Sequence, residues 1–320
     1  MRLVYLIPCT VVMLLTQLAR AVRFGLILKP FCSLTTKQLW DLLNIWAAST
    51  MFLPARLGEL TRPYLLKRRG VSFSSAFGAV IVERFFDLSG LLVLLALVLW
   101  YSPEVPASYA MVGKILLVGL VLGYGAVLLI LSNRERVHAL SERLQKRFPG
   151  RVTLFITGTA LRLIDGLGIM ASLRQAVIIF LCSVAVWGLF SLLTYFFLVA
   201  FSVKEASFLV AVTIQVFLCL GVALPSAPGF VGTFHAAGRY ALALFGIQSV
   251  VAVSFATAYH LFSLAGCLVL GFVSYFTSDF RLDQAMLAEE DSPDAATVPD
   301  TPAIGCNPGS ERNAGKETPC

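Results

Sequence analysis

Residues 74–100 read SSAFGAVIVERFFDLSGLLVLLALVLW. The run exceeds the roughly 20 residues that a helix needs to cross about 30 Å of hydrocarbon, yet it holds Glu83, Arg84 and Asp87. Its apolar positions are continuous rather than alternating, and in lipid only a helix or a closed barrel satisfies the backbone, so the reading is a spanning helix. Counted inward from Trp100 at about 1.5 Å per residue, Asp87 lies about 20 Å deep and Glu83 about 25 Å deep. A charge held inside a bilayer costs about 2.5–3.5 kcal/mol or more unless it is paired or faces water. Glu83 and Asp87, four apart, share a helix face, and Arg84 stands three before Asp87. The span therefore requires partners from elsewhere in the chain.

Residues 54–70, PARLGELTRPYLLKRRG, supply candidates. Arg56, Glu59 and Arg62 recur at three-residue intervals within one helical arc, with Pro54 suited to start that helix and Pro63 to end or kink it. With Glu83, Arg84 and Asp87 they amount to three positive and three negative charges, expected to form one nearly neutral network beside a polar cavity open to the cytoplasm. Two roles stand open. The network can simply clamp two helices, since buried ion pairs add little net stability, or Arg56 or Arg62 can exchange a carboxylate for a lipid phosphate through the guanidinium fork.

Composition supports the membrane reading for the chain as a whole. Its 320 residues are 58% hydrophobic and 13% charged, with mean hydropathy +0.83, against about 25% charged in soluble domains. Residues 1–278 carry 22 Lys and Arg against 9 Asp and Glu, whereas 279–320 carry 3 against 9. The basic body suits an anionic membrane surface, although the positive-inside rule alone would also produce it. The expectation is an all-α, polytopic membrane protein with about 6–8 membrane segments, some re-entrant or broken, over residues 1–278, followed by a disordered acidic tail over 279–320. Seven scattered cysteines without a CxxC pair imply neither a disulfide framework nor a zinc site.

The segments follow from charge and hydropathy. Leu3 to Leu18 followed by Ala19-Arg20-Ala21 can be read as a leader with a small-residue cleavage site. The preferred reading is a span with Arg20, Arg23, Lys29 and Lys37 as cytoplasmic flanks. Gln38 to Ala55 holds Asp41 and Asn44 and has positive charge on both sides, so both its ends are expected on the cytoplasmic side, as in a re-entrant or interfacial helix. Tyr101 to Ala110 reads as an external loop and Met111 to Leu131 as a returning span. Asn133 to Arg174 mixes Arg and Lys with Leu, Phe and Ile, as amphipathic surface helices or solvated connectors do. Gln175 to Ala200, Ala206 to Leu224 and Ser249 to Thr277 are further spans.

Residues 224–246, LPSAPGFVGTFHAAGRYALALFG, break the apolar pattern at Pro225, Pro228, Gly229 and Gly232. Discontinuous helices of this kind line transporter sites, though a plain kink between spans is the simpler alternative. A helix starting near Gly232 would aim its free N–H groups inward and place His235 and Arg239 on one face. His260, within the last span, reads as a hydrogen-bonded core histidine.

Taken in order, PARLGELTRPYLLKRRG, AVIVERFFDLSGLLVLL and PSAPGFVGTFHAAGRYALALFGI resemble the flippase-like membrane domain of the lysylphosphatidylglycerol synthase family. The likeness runs from about Leu18 to Thr277 and rests on Arg56, Gly58, Glu59, Arg62, Glu83, Arg84, Asp87, Pro225, Pro228, Gly229 and Gly232. The resemblance implies an inner-membrane protein that binds lipids and moves them between leaflets. His235 stands where many members carry Glu, so that Glu's role does not transfer. The chain also starts later than the pattern suggests. Only 43 residues follow Thr277, too few for a domain of about 100 residues or more, so the family's aminoacyl-transferring domain is not expected here.

The leading expectation is a flippase-like transporter of an anionic phospholipid or polyprenyl-linked lipid. One rival is a non-catalytic membrane partner of a separately encoded synthase or glycosyltransferase, docked through Asn133 to Arg174. The other is a membrane-embedded transferase using Glu83 and Asp87, for which no DxD or HExxH motif is found. Neither a cofactor, a metal nor a nucleic acid is called for by the pattern, and no nucleotide-binding loop supplies a driving force.

Overall fold

The computed structural model describes residues 2–101, 133–148, 173–223, 226–278 and Phe280, with isolated positions between 111 and 157. The expected loop at Tyr101 to Ala110, the span at Met111 to Leu131, Pro225 and the acidic tail lie outside the described residues, as do the side chains of 54–56.

Every regular element among the described residues is helical. The helices are α1 (Leu6–Leu28), α2 (Thr36–Phe52), α3 (Thr61–Lys67), α4 (Phe73–Tyr101), α5 (Arg134–Arg147), α6 (Leu173–Ala200), α7 (Phe208–Ala223), α8 (Thr233–Ala243) and α9 (Ser249–Thr277). Among the described residues, three stretches are long and apolar enough to cross a membrane, Leu3–Leu28, Arg174–Ala200 and Ser249–Thr277. The 29-residue α4 adds a fourth long helix. Their outward faces are oily. Ile7, Val11, Leu15, Leu18 and Val22 form an exposed stripe along α1, and Val253, Leu261, Val269, Phe272 and Phe276 expose apolar surface along α9. Inside lie Arg23, Asp41, Asn44, Arg62 and Glu83, all buried. Apolar outside with charge inside is the pattern that a lipid solvent selects.

Contacts at the helix ends give the topology. At one end, Lys37 Nζ donates to the Thr277 carbonyl at 3.0 Å, and the Arg69 guanidinium lies 4.7 Å from the Phe280 ring centroid. Leu28, Cys32, Val71 and Phe280 share one apolar cluster there. At the other end, the Arg2 amide donates to the Ala200 carbonyl at 2.7 Å, and Leu6, Phe201, Val203, Leu242 and Ala252 cluster. Helix α1 thus runs antiparallel to α6, and both ends of the α2–α3 segment lie at the first end. The segment is a re-entrant hairpin, but the expected one, Gln38 to Ala55, does not return to its own end by itself: α2 is the inward limb, and the return is made by the 3-10 turn and α3, whose Glu59 and Arg62 lie inside rather than in the positive flank.

A second hairpin enters from the opposite end. Along α7 and α8, Gly221 approaches Thr233 and Ala237, while Leu218 approaches Gly238, so the two helices are antiparallel. The turn between them is a short 3-10 segment at Pro228–Phe230. The tips of the two hairpins meet in the interior, where Gly229 faces the Met51 carbonyl. The described helices therefore fall into two units of long helix, hairpin and long helix: α1, α2–α3, α4, and then α6, α7–α8, α9 in the reverse orientation. The turns carry a matching pattern, Leu53-Pro54 four before Gly58 and Leu224-Pro225 four before Gly229, which a segment-by-segment reading overlooks.

Local chemistry accounts for the first hairpin. Thr35 and Gln38 form a reciprocal capping box at the start of α2, satisfying two amides that no helical carbonyl reaches. Gly58 is required by proximity, because a Cβ there would sit 2.5 Å from the Thr50 Cα and amide nitrogen. Two sequence-based expectations need correction. Pro54 starts a 3-10 turn (Pro54–Leu60) rather than the Arg62 helix, and Pro63 lies in the first turn of α3 rather than at its end, where the missing N–H costs no helical bond. Arg20 and Arg23 do not flank α1. The helix continues through them to Leu28, because Phe24 and Leu26-Ile27-Leu28 renew the apolar run and α4 supplies carboxylates to Arg23.

Candidate functional site

Glu83, on the inner face of α4, is the centre of the charge cluster. Its Oε1 accepts from Arg23 Nη2 at 2.8 Å, and its Oε2 accepts from Arg62 Nη1 and lies 3.4 Å from Arg84 Nη2. Arg23 also reaches Asp87 Oδ1 at 2.5 Å and donates to Ser183 Oγ of α6 at 3.0 Å. Arg62 bonds Glu59 Oε2 at 3.0 Å, and Arg84 Nη1 lies 3.3 Å from Asp87 Oδ2. Side chains from α1, the 3-10 turn, α3 and α4 thus converge. Arg23, Arg62 and Glu83 have no side-chain exposure, whereas Asp87, Glu59 and Arg84 retain 16%, 25% and 43%. One side of the cluster is therefore accessible.

Five of the six charged residues expected to associate do so. The sixth, Arg56, has no described side chain, and the third cation is supplied by Arg23. Sequence reasoning assigned Arg23 to the cytoplasmic flank, yet a signal was present: a true flank ends an apolar run, whereas FGLIL follows Arg23 directly.

Trp46 of α2 is the second centre. The guanidinium carbons of Arg62, Arg20 and Arg84 lie 4.0, 4.8 and 5.4 Å from its ring centroid, within reach of cation–π attraction. Arg20 donates to Gln17 Oε1 at 2.8 Å, Gln17 donates to Asn44 Oδ1 at 2.8 Å, and Asn44 reaches Ser274 Oγ at 3.4 Å. This neutral chain links α1, α2 and α9. Among the described residues, three buried side-chain N–H groups bond to nothing: Arg23 Nε, Arg62 Nε and Trp46 Nε1. Such groups are rare in folded proteins and each calls for an explanation.

The broken segment forms a separate centre. Gly229 and Gly232 have φ of +70° and +94°, a region that costs other residues about 1–2 kcal/mol. Helix α8 begins at Thr233, directly after Gly232, as expected. His260 Nε2 lies 2.7 Å from the Gly229 carbonyl, its ring stacks on Phe234 at 4.7 Å, and His235 meets it edge-on at 4.9 Å. His260 is thus the strut beneath the break. Arg239 is exposed and joins neither centre. Nearby, Thr194 Oγ1 donates to Gln215 Oε1 at 2.9 Å and lies 3.1 Å from Tyr259 Oη, a polar cluster without charge.

No curated protein and no solved structure matches this chain. A sequence model of the lysylphosphatidylglycerol synthase TM region matches residues 1–271, a range that contains the charge cluster, both hairpins and most of the last long helix, and the chain belongs to that family.

Proposed function

We propose that the protein binds the headgroup of an anionic phospholipid or polyprenyl-linked lipid at the Glu83 cluster and moves it between leaflets while the tails stay in the bilayer. The observation that carries this reading is a buried, partly accessible set of four guanidinium groups, Arg20, Arg23, Arg62 and Arg84, against three carboxylates, Glu59, Glu83 and Asp87. It lies inside a shell of lipid-facing apolar residues. Two broken hairpins that enter from opposite ends and touch at their tips supply elements able to open on either side. Lys29, Lys37, Lys67, Arg68, Arg69 and Arg174 gather at the α2 entry end, which supports assigning that end to the cytoplasm of a multi-pass inner-membrane protein. A cavity lined by Leu26, Lys29, Arg174, Gln175, Ile178 and Ile179 lies at the same end, with apolar and basic walls suited to lipid entry.

The test is movement of fluorescent phosphatidylglycerol and of a polyprenyl phosphate analogue across liposomes containing the purified protein. Wild type moves at least one of them, and folded Arg62→Ala and Glu83→Gln proteins lose that movement. If wild type moves neither, the transport reading fails for these lipids. The weight then passes to a membrane partner of a separate synthase, a role to which the exposed basic residues of α5 (Arg136, Arg143, Lys146 and Arg147) are suited.

A further inference from the structure

Arg20 is distinct within the cluster. Arg23, Arg62 and Arg84 each contact two carboxylates, whereas Arg20 meets a neutral amide and an aromatic face and forms no ion pair with a described residue. It is also partly exposed, while Arg23 and Arg62 are sealed. The indole N–H of Trp46, whose ring lies under Arg20, is buried and bonds to nothing among the described residues. A surplus guanidinium inside a membrane is costly without a counter-charge, and the three carboxylates nearby are already shared among three other guanidiniums.

We infer that Arg20 of α1 and the Trp46 indole of α2 form a binding station for a phosphate group, and that this phosphate, rather than a side chain, is the counter-ion of Arg20. The inference rests on the lipid-binding reading above and identifies which residues take the headgroup. It shifts the anion-binding role away from Arg62, whose two Nη atoms are already engaged by Glu83 and Glu59. The guanidinium fork supplies parallel donors matched to phosphate oxygens, and an indole N–H donates only, so the pair can hold an acceptor-rich anion. Gln17 orients the guanidinium, and the Gln17–Asn44–Ser274 chain fixes Gln17 against α2 and α9. A lipid phosphodiester and free phosphate share this chemistry.

Native mass spectrometry of the full chain in detergent, titrated with phosphatidylglycerol or with diacylglycerol, which has the tails but no phosphate, tests the station. Phosphatidylglycerol is expected to bind at one site, and Arg20→Gln to weaken it about tenfold or more with diacylglycerol binding and thermal unfolding unchanged. Trp46→Phe, which keeps the ring and removes the N–H, should weaken it by a smaller factor, and Arg20→Lys should restore part of the loss. Inorganic phosphate that displaces the lipid would show that the phosphate alone is read. Failure to displace it, with the Arg20 dependence intact, would show that the lipid is required. Equal phosphatidylglycerol binding by wild type and Arg20→Gln overturns the inference even if wild type moves lipid across liposomes. Arg20-dependent binding by a wild type that moves no lipid would leave the station standing and remove the transport reading.

Discussion

The two hairpins use one backbone device for different chemistry. Each enters the bundle, turns four residues after a Leu-Pro pair at a glycine, and returns to its own end. Around the first, Arg23, Arg62 and Arg84 are matched with Glu59, Glu83 and Asp87. Around the second are His235, His260, Thr194, Gln215 and Tyr259, with hydrogen bonds but no ion pair between them. The glycines differ in the same spirit. Gly58 is held by crowding against Thr50. Gly229, where a Cβ would have its nearest neighbour 3.9 Å away, is held by its positive φ. A hairpin tip can thus be specified by space or by dihedral angle, and the ligand chemistry is set independently by the helices that flank it.

The comparison can be broken most forcefully at Glu83. Glu83→Ala leaves Arg23 and Arg62 without their shared carboxylate and should cost about 3–5 kcal/mol, the range for removing one partner of a buried ion pair. Thermal unfolding in detergent measures it, and a loss below about 1 kcal/mol would mean that the charges are solvated rather than buried. Gly58→Ala comes next. Its Cβ meets backbone rather than a flexible side chain, so about 1–3 kcal/mol is expected. Gly229→Ala should cost about 1–2 kcal/mol through φ alone, and Gly229→Asn less than Gly229→Ala because Asn tolerates the left-handed region better. If Asn rescued Gly58 as well as it rescues Gly229, the distinction between crowding and dihedral angle would be wrong. Thr194→Val breaks a neutral cluster and should cost about 1 kcal/mol. At the small end, Arg239→Gln should change stability by no more than about 0.5 kcal/mol, because Arg239 is exposed and outside both centres.

A tip-to-tip disulfide probes the contact itself. A Cβ at Gly229 would stand 3.9 Å from the Met51 carbonyl oxygen, so Met51→Cys combined with Gly229→Cys should join the hairpins under oxidant and slow lipid movement, with recovery on reduction. Unchanged transport in the cross-linked protein would show that the tips need not separate.

Much of this was legible along the chain. Twenty or more apolar residues per segment define spans because hydrocarbon has a fixed thickness. Lys37 at the start of α2 and Lys67, Arg68 and Arg69 at the end of α3 mark a segment that returns to its own end, because such charges resist crossing. Pro228, Gly229 and Gly232 announce a break because neither residue type sustains a helix. The need for Glu83 and Asp87 to find cations also follows from local sequence, since lipid offers no water to solvate them.

The choice of cation did not follow. Arg23 and Arg56 are equally plausible on charge count, and a helix boundary error of one turn moves Arg23 from flank to core. The lack of an ion pair between Arg20 and any described carboxylate, the Trp46 indole without a bond among the described residues and the His260 strut under Gly229 are likewise invisible in one dimension. Burial cost is a property of a segment and its solvent, so composition expresses it. Pairing depends on which helix faces touch, and residues 60 positions or more apart, such as Arg23 and Glu83, acquire a distance only when α1 and α4 have packed.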